Sequence, residues 1–160
     1  VMDELCSDDM QFVILGTGDE KYENMFRHYD WKYHDRVSAQ IYYSNDMSHK
    51  IYAGCDALLM PSLFEPCGLS QLMALRYGTA PIVRETGGLK DTVEPYNEYE
   101  SRGTGFSFSN YNAHEMIPSV TQSIFITTKS VNGTRSSTGL WQRISPGSSQ
   151  QPSIRNSTTG

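Results

Sequence analysis

The sequence predicts an α/β domain built on a Rossmann-like, doubly wound parallel sheet. Three observations carry this expectation. Short runs such as Gln11–Leu15, Ala57–Met60 and Ala80–Val83 are almost continuously apolar, as strands covered on both faces require. Stretches of helical length separate them, the alternation expected of βαβ units. Glycine-bearing turns (Gly16 and Gly18, Gly68, Gly87 and Gly88) follow three of the runs, on the strand edge where such sheets bind ligands.

Val1–Leu5 reads as the middle of a helix, which leads us to expect a fragment. Gln11–Leu15 is a buried strand that ends in the turn Gly16–Asp19. Asp19 is placed to cap a helix through about Tyr29, with Tyr22, Met25 and Phe26 on one face. Arg36–Tyr42 is β-rich with a poor apolar period. Asp46 or Ser48 is expected to cap a helix through Ile51–Cys55. Ala57–Met60 is a strand stopped by Pro61. Gly68 opens a helix through about Tyr77, with Leu69, Leu72, Met73 and Leu75 mainly inward. Ala80–Val83 is the next strand, Gly87–Gly88 opens a helix through Val93, and Gly105–Phe108 is a last short strand.

At 160 residues the chain has room for one domain with a core. It contains no apolar run of the roughly 18 residues that a membrane helix needs, so no membrane partner is expected. A net charge of −5 argues against nonspecific binding to nucleic acid. Cys6, Cys55 and Cys67 are too few and too scattered for a disulfide framework or a zinc site, which suits a reducing cytoplasm. His28, His34, His49 and His114 lack metal-ligand spacing, so neither a metal nor another cofactor is expected.

The composition changes near residue 118. All 18 acidic residues lie between Asp3 and Glu115, and Ser and Thr supply 17 of the last 43 residues. We therefore expect an ordered domain over 1–117 and a disordered Ser/Thr-rich tail over 118–160. A sharper reading is translation in the wrong frame. Synonymous codons exist for Arg143–Gly160 whose frame, begun at the third base of the first codon, spells DFTWKQSAAKYKELYDR. The same shift turns Ser123–Val131 into HFYHNKER. The free third bases become only the first bases of the shifted codons, so the protein itself dictates most of both strings.

A glycine after a strand lets the backbone approach a phosphate, and the helix start beyond it offers unpaired N–H groups and a favourable dipole. Two such starts side by side can hold a diphosphate. Gly16 and Gly18 can equally serve a tight turn alone. Arg84, at a strand end, can neutralise a phosphate or pair with Glu85 or Asp91. Tyr43 sits in an Ile41–Tyr43 run, where core packing rivals ligand stacking. Cys67 has no histidine placed to activate it as a nucleophile.

The strings Phe64-Glu65-Pro66-Cys67-Gly68-Leu69-Ser70-Gln71-Leu72 and Thr86-Gly87-Gly88-Leu89-Lys90-Asp91-Thr92-Val93, with Leu15-Gly16-Thr17-Gly18-Asp19 before them, resemble bacterial glycogen synthases and plant starch synthases. The resemblance covers about residues 1–117. It implies the GT-B fold, two Rossmann-like domains facing across a cleft, with this chain as part of the second. It further implies glucose transfer from ADP-glucose to the non-reducing end of an α-1,4-glucan, with retention and without a metal.

On this resemblance Glu65 lies by the donor sugar, where it binds hydroxyls and steadies positive charge in the transition state. Backbone N–H groups around Cys67, Gly68 and Leu69 face the donor's glucose and phosphates, Tyr43 stacks on adenine, and Gln71 supports the loop. Related synthases outside this branch carry a second glutamate eight residues after the first. That position is Met73 here, as in bacterial and plant members. The first domain, with its acceptor surface, and the basic segment that grips the diphosphate lie outside the matching residues, so this chain alone is expected to be inactive. Two other readings stand beside this one: a non-catalytic nucleotide-sugar-binding remnant, and another GT-B glucosyltransferase.

Overall fold

The structure is a computed structural model that describes residues 1–100 and 102–129. In chain order it comprises α1 (Met2–Leu5), β1 (Phe12–Leu15), α2 (Glu20–Lys32), β2 (Val37–Gln40), α3 (Asn45–Gly54), β3 (Ala57–Met60), α4 (Ser70–Tyr77), β4 (Ala80–Arg84), α5 (Gly87–Thr92), β5 (Phe106–Phe108) and α6 (Ala113–Lys129). Every strand pairing is parallel. β1 pairs with β2 in register Phe12 to Val37, and β4 lies between β3 and β5, with Ala57 opposite Ala80 and Ile82 opposite Phe106.

β4 shows why the apolar runs are unbroken. Ala80 and Ile82 point to one face, into a cluster with Leu5, Phe106, Phe108, Met116 and Val120 from α1, β5 and α6. Val83 points to the other face, against Leu89 and Val93, with Met60 beside them. Successive side chains alternate across the sheet, and helices cover both faces. The α/β, Rossmann-like fold class expected from the sequence is the one observed.

The helices obey local chemistry. Asp19 caps α2 by accepting the Lys21 N–H at 2.9 Å, with Glu20 and Glu23 in the first turn and Lys32 in the last, the arrangement that complements the helix dipole. Asp3 ties α1 to this helix, accepting from Lys32 Nζ at 2.6 Å and from the Tyr33 hydroxyl at 2.7 Å. Those two hydrogen bonds hold the Asp3 carboxyl below the usual carboxylate range.

Several expectations are corrected. α2 runs to Lys32, three residues beyond Tyr29, and buries no residue fully. Tyr22 and Met25, two of the three residues grouped on one face, are exposed. α3 is capped by Ser44, whose Oγ accepts the Met47 N–H at 3.1 Å, rather than by Asp46 or Ser48. An extended residue three before the bonded N–H is what a cap requires, and Ser44 is the one that has it. β2 ends at Gln40, so Ile41–Tyr43 is not strand.

In α4 the buried residues are Gln71 and Ala74, three apart, whereas Leu72 and Met73 are exposed. The small Ala74 lets the helix sit close to the sheet, and the Gln71 amide finds polar partners, so the leucine-rich side turns outward.

The expected boundary at residue 117 falls inside α6. Residues 118–129 are helical, and Val120 and Ser123 are buried, so a disordered tail beginning at 118 is corrected over that stretch. Pro118 lies within the helix and cannot donate to the carbonyl four residues back. The remainder of the tail, 130–160, lies outside the described residues. Among the described residues no helix is long and apolar enough to cross a membrane.

Candidate functional site

The ladder between β3 and β4 stops at Met60, since Pro61 has no N–H to extend it. The chain then crosses from β3 to α4 through Ser62–Leu69. Arg84, at the end of β4, holds the first part of this loop. Its Nε donates to the Ser62 carbonyl at 2.8 Å, and its terminal nitrogens donate to the carbonyls of Leu63 and Ser109. The guanidinium lies 5.8 Å from the centre of the Tyr111 ring. Neither Glu85 nor Asp91 pairs with it; Glu85 accepts instead from the Ser107 hydroxyl at 2.8 Å. Arg84 thus clamps the loop, with its N–H groups bonded to carbonyls.

The second part of the loop is interlocked with α5. Gly68 has φ +65°, a conformation that favours glycine, and its N–H donates to Glu65 Oε1 at 3.2 Å. Glu65 is thus drawn back over the start of α4. A Cβ on Gly87 would collide with the Glu65 carbonyl oxygen, and one on Gly88 with the Cys67 carbonyl oxygen. The Gly88 N–H in turn donates to the Glu65 carbonyl at 3.1 Å. The two glycines are there because another backbone lies against them.

Two further side chains lock this contact, and their roles were not legible in the sequence beyond Gln71's support of the loop. Gln71 Nε2 donates to the Cys67 carbonyl at 3.4 Å and to Thr92 Oγ1 at 3.0 Å, and Thr92 Oγ1 donates to the Gly88 carbonyl at 2.5 Å. A buried relay therefore runs from the loop through Gln71 and Thr92 into α5. Gln71 Oε1 is buried and has no hydrogen-bond partner among the described residues. An unsatisfied buried acceptor of this kind costs about 1–3 kcal/mol.

The other expected residues stand apart from the interlock. Gly16 has φ +150° and donates its N–H to the Gln40 carbonyl at 3.1 Å, where the chain leaves β1. The Gly18 N–H donates to Glu23 Oε1 at 3.0 Å, and a Cβ on Gly18 would meet nothing within 4 Å. Tyr43 is 87% exposed, which removes core packing as its role. Leu69 is 65% exposed and Cys67 is exposed, so both face outward from the start of α4. Burial pushes the thiols of Cys6 and Cys55 up, so neither is an activated nucleophile. Among the described residues no group of three or more His, Cys, Asp or Glu could hold a metal ion.

Residues 1–124 match the family described as Glycosyl transferases group 1. The chain belongs to this family. Among similar proteins is a glycogen synthase from Lachnospira eligens, 85% identical over 117 residues, which are 73% of this chain and 24% of that one. A glycogen synthase from Finegoldia magna is 59% identical over 125 residues, 78% of this chain and 26% of the relative. The chain thus spans about a quarter of the length of these relatives. Among solved structures, the catalytic domain of starch synthase IV from Arabidopsis thaliana, bound to ADP and acarbose, superposes with TM-score 0.69 at 29% identity. That match covers 84% of this chain and 28% of the other. A sucrose-phosphate synthase from Thermosynechococcus elongatus matches in fold, with TM-score 0.64 and 20% identity over 89% of this chain and 35% of that one.

The glycines differ in what depends on them. Gly88→Ala is expected to destabilise the chain by about 1–3 kcal/mol, the usual cost of overpacking. Gly18→Ala is expected to stay within about 0.5 kcal/mol of the parent. Urea unfolding of the two variants checks the contrast, and equal midpoints would contradict the interlock.

Proposed function

We propose that this segment is the donor-binding part of a glycogen (starch) synthase, which transfers glucose from ADP-glucose to the non-reducing end of an α-1,4-glucan with retention. The observation that carries the proposal is the Glu65–Leu69 loop. Here a carboxylate and the N–H groups leading into α4 sit together beyond the end of β3, where doubly wound sheets take their ligands. The 85% identity to a glycogen synthase supports the same assignment.

In this reading Glu65 is the catalytic carboxylate. Its present bond to the Gly68 N–H leaves the other oxygen to meet donor hydroxyls, and its charge steadies the cationic sugar of the transition state. The N–H groups of Cys67 and Leu69 take donor oxygens as a helix start does, without a metal, while that of Gly68 between them holds Glu65 beside the donor. Tyr43, fully presented to solvent, stacks on the adenine, and the Gly16–Gly18 turn borders the same strand edge. Gly87 and Gly88 act one step back, by letting the Glu65–Cys67 backbone lie against α5. The acceptor glucan is held by a first domain outside this chain, so the 160-residue polypeptide alone transfers no glucose, and the whole enzyme works in the cytoplasm. A uridine-dependent GT-B glucosyltransferase and an inert binding remnant are the competing assignments.

Replacing the matched stretch of the Lachnospira eligens relative with residues 1–117 of this chain tests the proposal. The chimera is expected to incorporate glucose from ADP-glucose into glycogen. Glu65→Gln in the chimera is expected to lower kcat by about 10²–10³-fold, the size of loss seen when one preorganised transition-state contact is removed. Preference for UDP-glucose would establish the uridine-dependent assignment, and a folded chimera that binds ADP without turnover would establish the remnant.

We also propose that translation beyond about residue 117 is out of frame. The change of composition at 118 supports this. DNA sequencing across codons 115 to 125 and beyond is expected to reveal a shifted frame that encodes DFTWKQSAAKYKELYDR. Recovery of an intact frame for the present tail in close relatives would contradict it.

A further inference from the structure

We propose that the Thr92 hydroxyl, acting through Gln71, aims the Glu65 carboxylate, which makes Thr92 a positioning residue for glucose transfer. This role rests on the reading of Glu65 as the catalytic carboxylate. Thr92 is the last residue of α5 and acts on the carboxylate through two intervening groups.

The group nearest Glu65 is a single peptide unit. The Cys67–Gly68 amide is planar and trans, so its carbonyl and its N–H point in opposite directions. The N–H donates to Glu65 Oε1 at 3.2 Å, and the carbonyl accepts from Gln71 Nε2 at 3.4 Å. Whatever turns this plane turns the N–H away from the carboxylate. The Gln71 amide also lies against the α-carbon that ends the same unit. A Cβ on Gly68 would fall 2.6 Å from Gln71 Oε1 and 2.7 Å from Nε2. The side-chain amide thus meets the peptide unit at its oxygen and at its second α-carbon, and its own orientation sets that of the plane.

Thr92 decides how the Gln71 amide is turned. The Gly88 carbonyl has no proton to give, so the Thr92 hydroxyl donates to it, at 2.5 Å. The hydroxyl oxygen then faces Gln71 as an acceptor and takes the Nε2 N–H at 3.0 Å. The Cys67 carbonyl also only accepts, so both partners call for Nε2. Gln71 is fully buried, and its Oε1 has no hydrogen-bond partner among the described residues. The orientation of the amide therefore rests on two bonds, and loss of the shorter one leaves only the 3.4 Å contact to hold it.

The consequence falls on turnover more than on donor affinity. A carboxylate that steadies a cationic sugar acts only from the right place as charge develops, and a misplacement of about 1 Å can lower a rate by about 10²-fold. Donor binding in the proposed function uses the N–H groups of Cys67 and Leu69, which belong to other peptide planes, together with Tyr43. It therefore changes less when the Cys67–Gly68 plane turns.

Thr92→Val, which keeps the shape and removes the hydroxyl, tests this in the Lachnospira eligens chimera. It is expected to lower kcat about tenfold, with KM for ADP-glucose within about twofold of the parent. Thr92→Ser, which keeps the hydroxyl, is expected to restore kcat. With Glu65→Gln already present, Thr92→Val is expected to remove no further activity, because both changes act on one group. A full additional loss in that background, an unchanged kcat, or a Ser variant as impaired as the Val variant would each overturn the proposal. Amide exchange in the 160-residue chain gives a readout free of turnover. Thr92→Val is expected to speed exchange at Gly68 about tenfold and to leave the buried Val83 of β4 unchanged. Equal acceleration at both would assign Thr92 to general stability and overturn the proposal, as would no change at Gly68. A parent chimera that transfers no glucose would overturn the reading of Glu65 itself, and exchange at Gly68 still decides the link from Thr92.

Discussion

The candidate site depends on one close approach, the backbone of Glu65–Cys67 lying against the first turn of α5. Two carbonyl oxygens occupy the space that side chains on Gly87 and Gly88 would need, and the Gly88 N–H bonds to one of them. That contact fixes where the loop leaves β3 and where α4 begins, and hence where the Glu65 carboxylate stands. Gln71 and Thr92 then close a buried hydrogen-bonded relay across the same contact. Arg84 pins the loop's other end to the carbonyls of Ser62 and Leu63. A loop held at both ends suits preorganised chemistry, because its groups need little rearrangement when charge develops.

The sheet beneath explains why the approach is affordable in structural terms. β4 is buried on both faces and carries Arg84 at its end, and α5 follows it after two residues. Val83, Leu89 and Val93 seat α5 on that strand, so the helix start has little freedom to retreat from the loop. The outer side of the loop is a different surface. Phe64 and Leu69 are 73% and 65% exposed, an apolar rim around a polar centre. In the proposed function this rim borders the cleft that the first domain completes.

Much of this was legible in the sequence, and the gaps have physical causes. Unbroken apolar runs announce strands with two covered faces, and Asp19 announces the helix behind it. The glycine strings mark the three turns correctly. At Gly87 and Gly88 the structure adds backbone packing as a reason, and a glycine needed for packing and one needed for a phosphate look the same in one dimension. The inward face of α4 was misassigned for a related reason. Hydrophobicity favours Leu72 and Met73, but close packing against the sheet favours Ala74, and the buried place of Gln71 depends on Thr92, twenty-one residues away. Ser44 was passed over as the cap of α3 because several polar residues compete there, and only backbone conformation decides among them. Arg84 shows the same limit: its partners are carbonyls, which carry no residue-specific signal.

The central claim is that the start of α4, beside Glu65, receives the donor while α5 only supports it. Amide hydrogen exchange on the chimera carrying residues 1–117, with and without ADP, tests this most directly. The account predicts that ADP slows exchange at Cys67 and Leu69 and leaves Gly88 unchanged, since its N–H is already bonded to the Glu65 carbonyl. Slowing at Gly88 with none at Cys67 and Leu69 would contradict it.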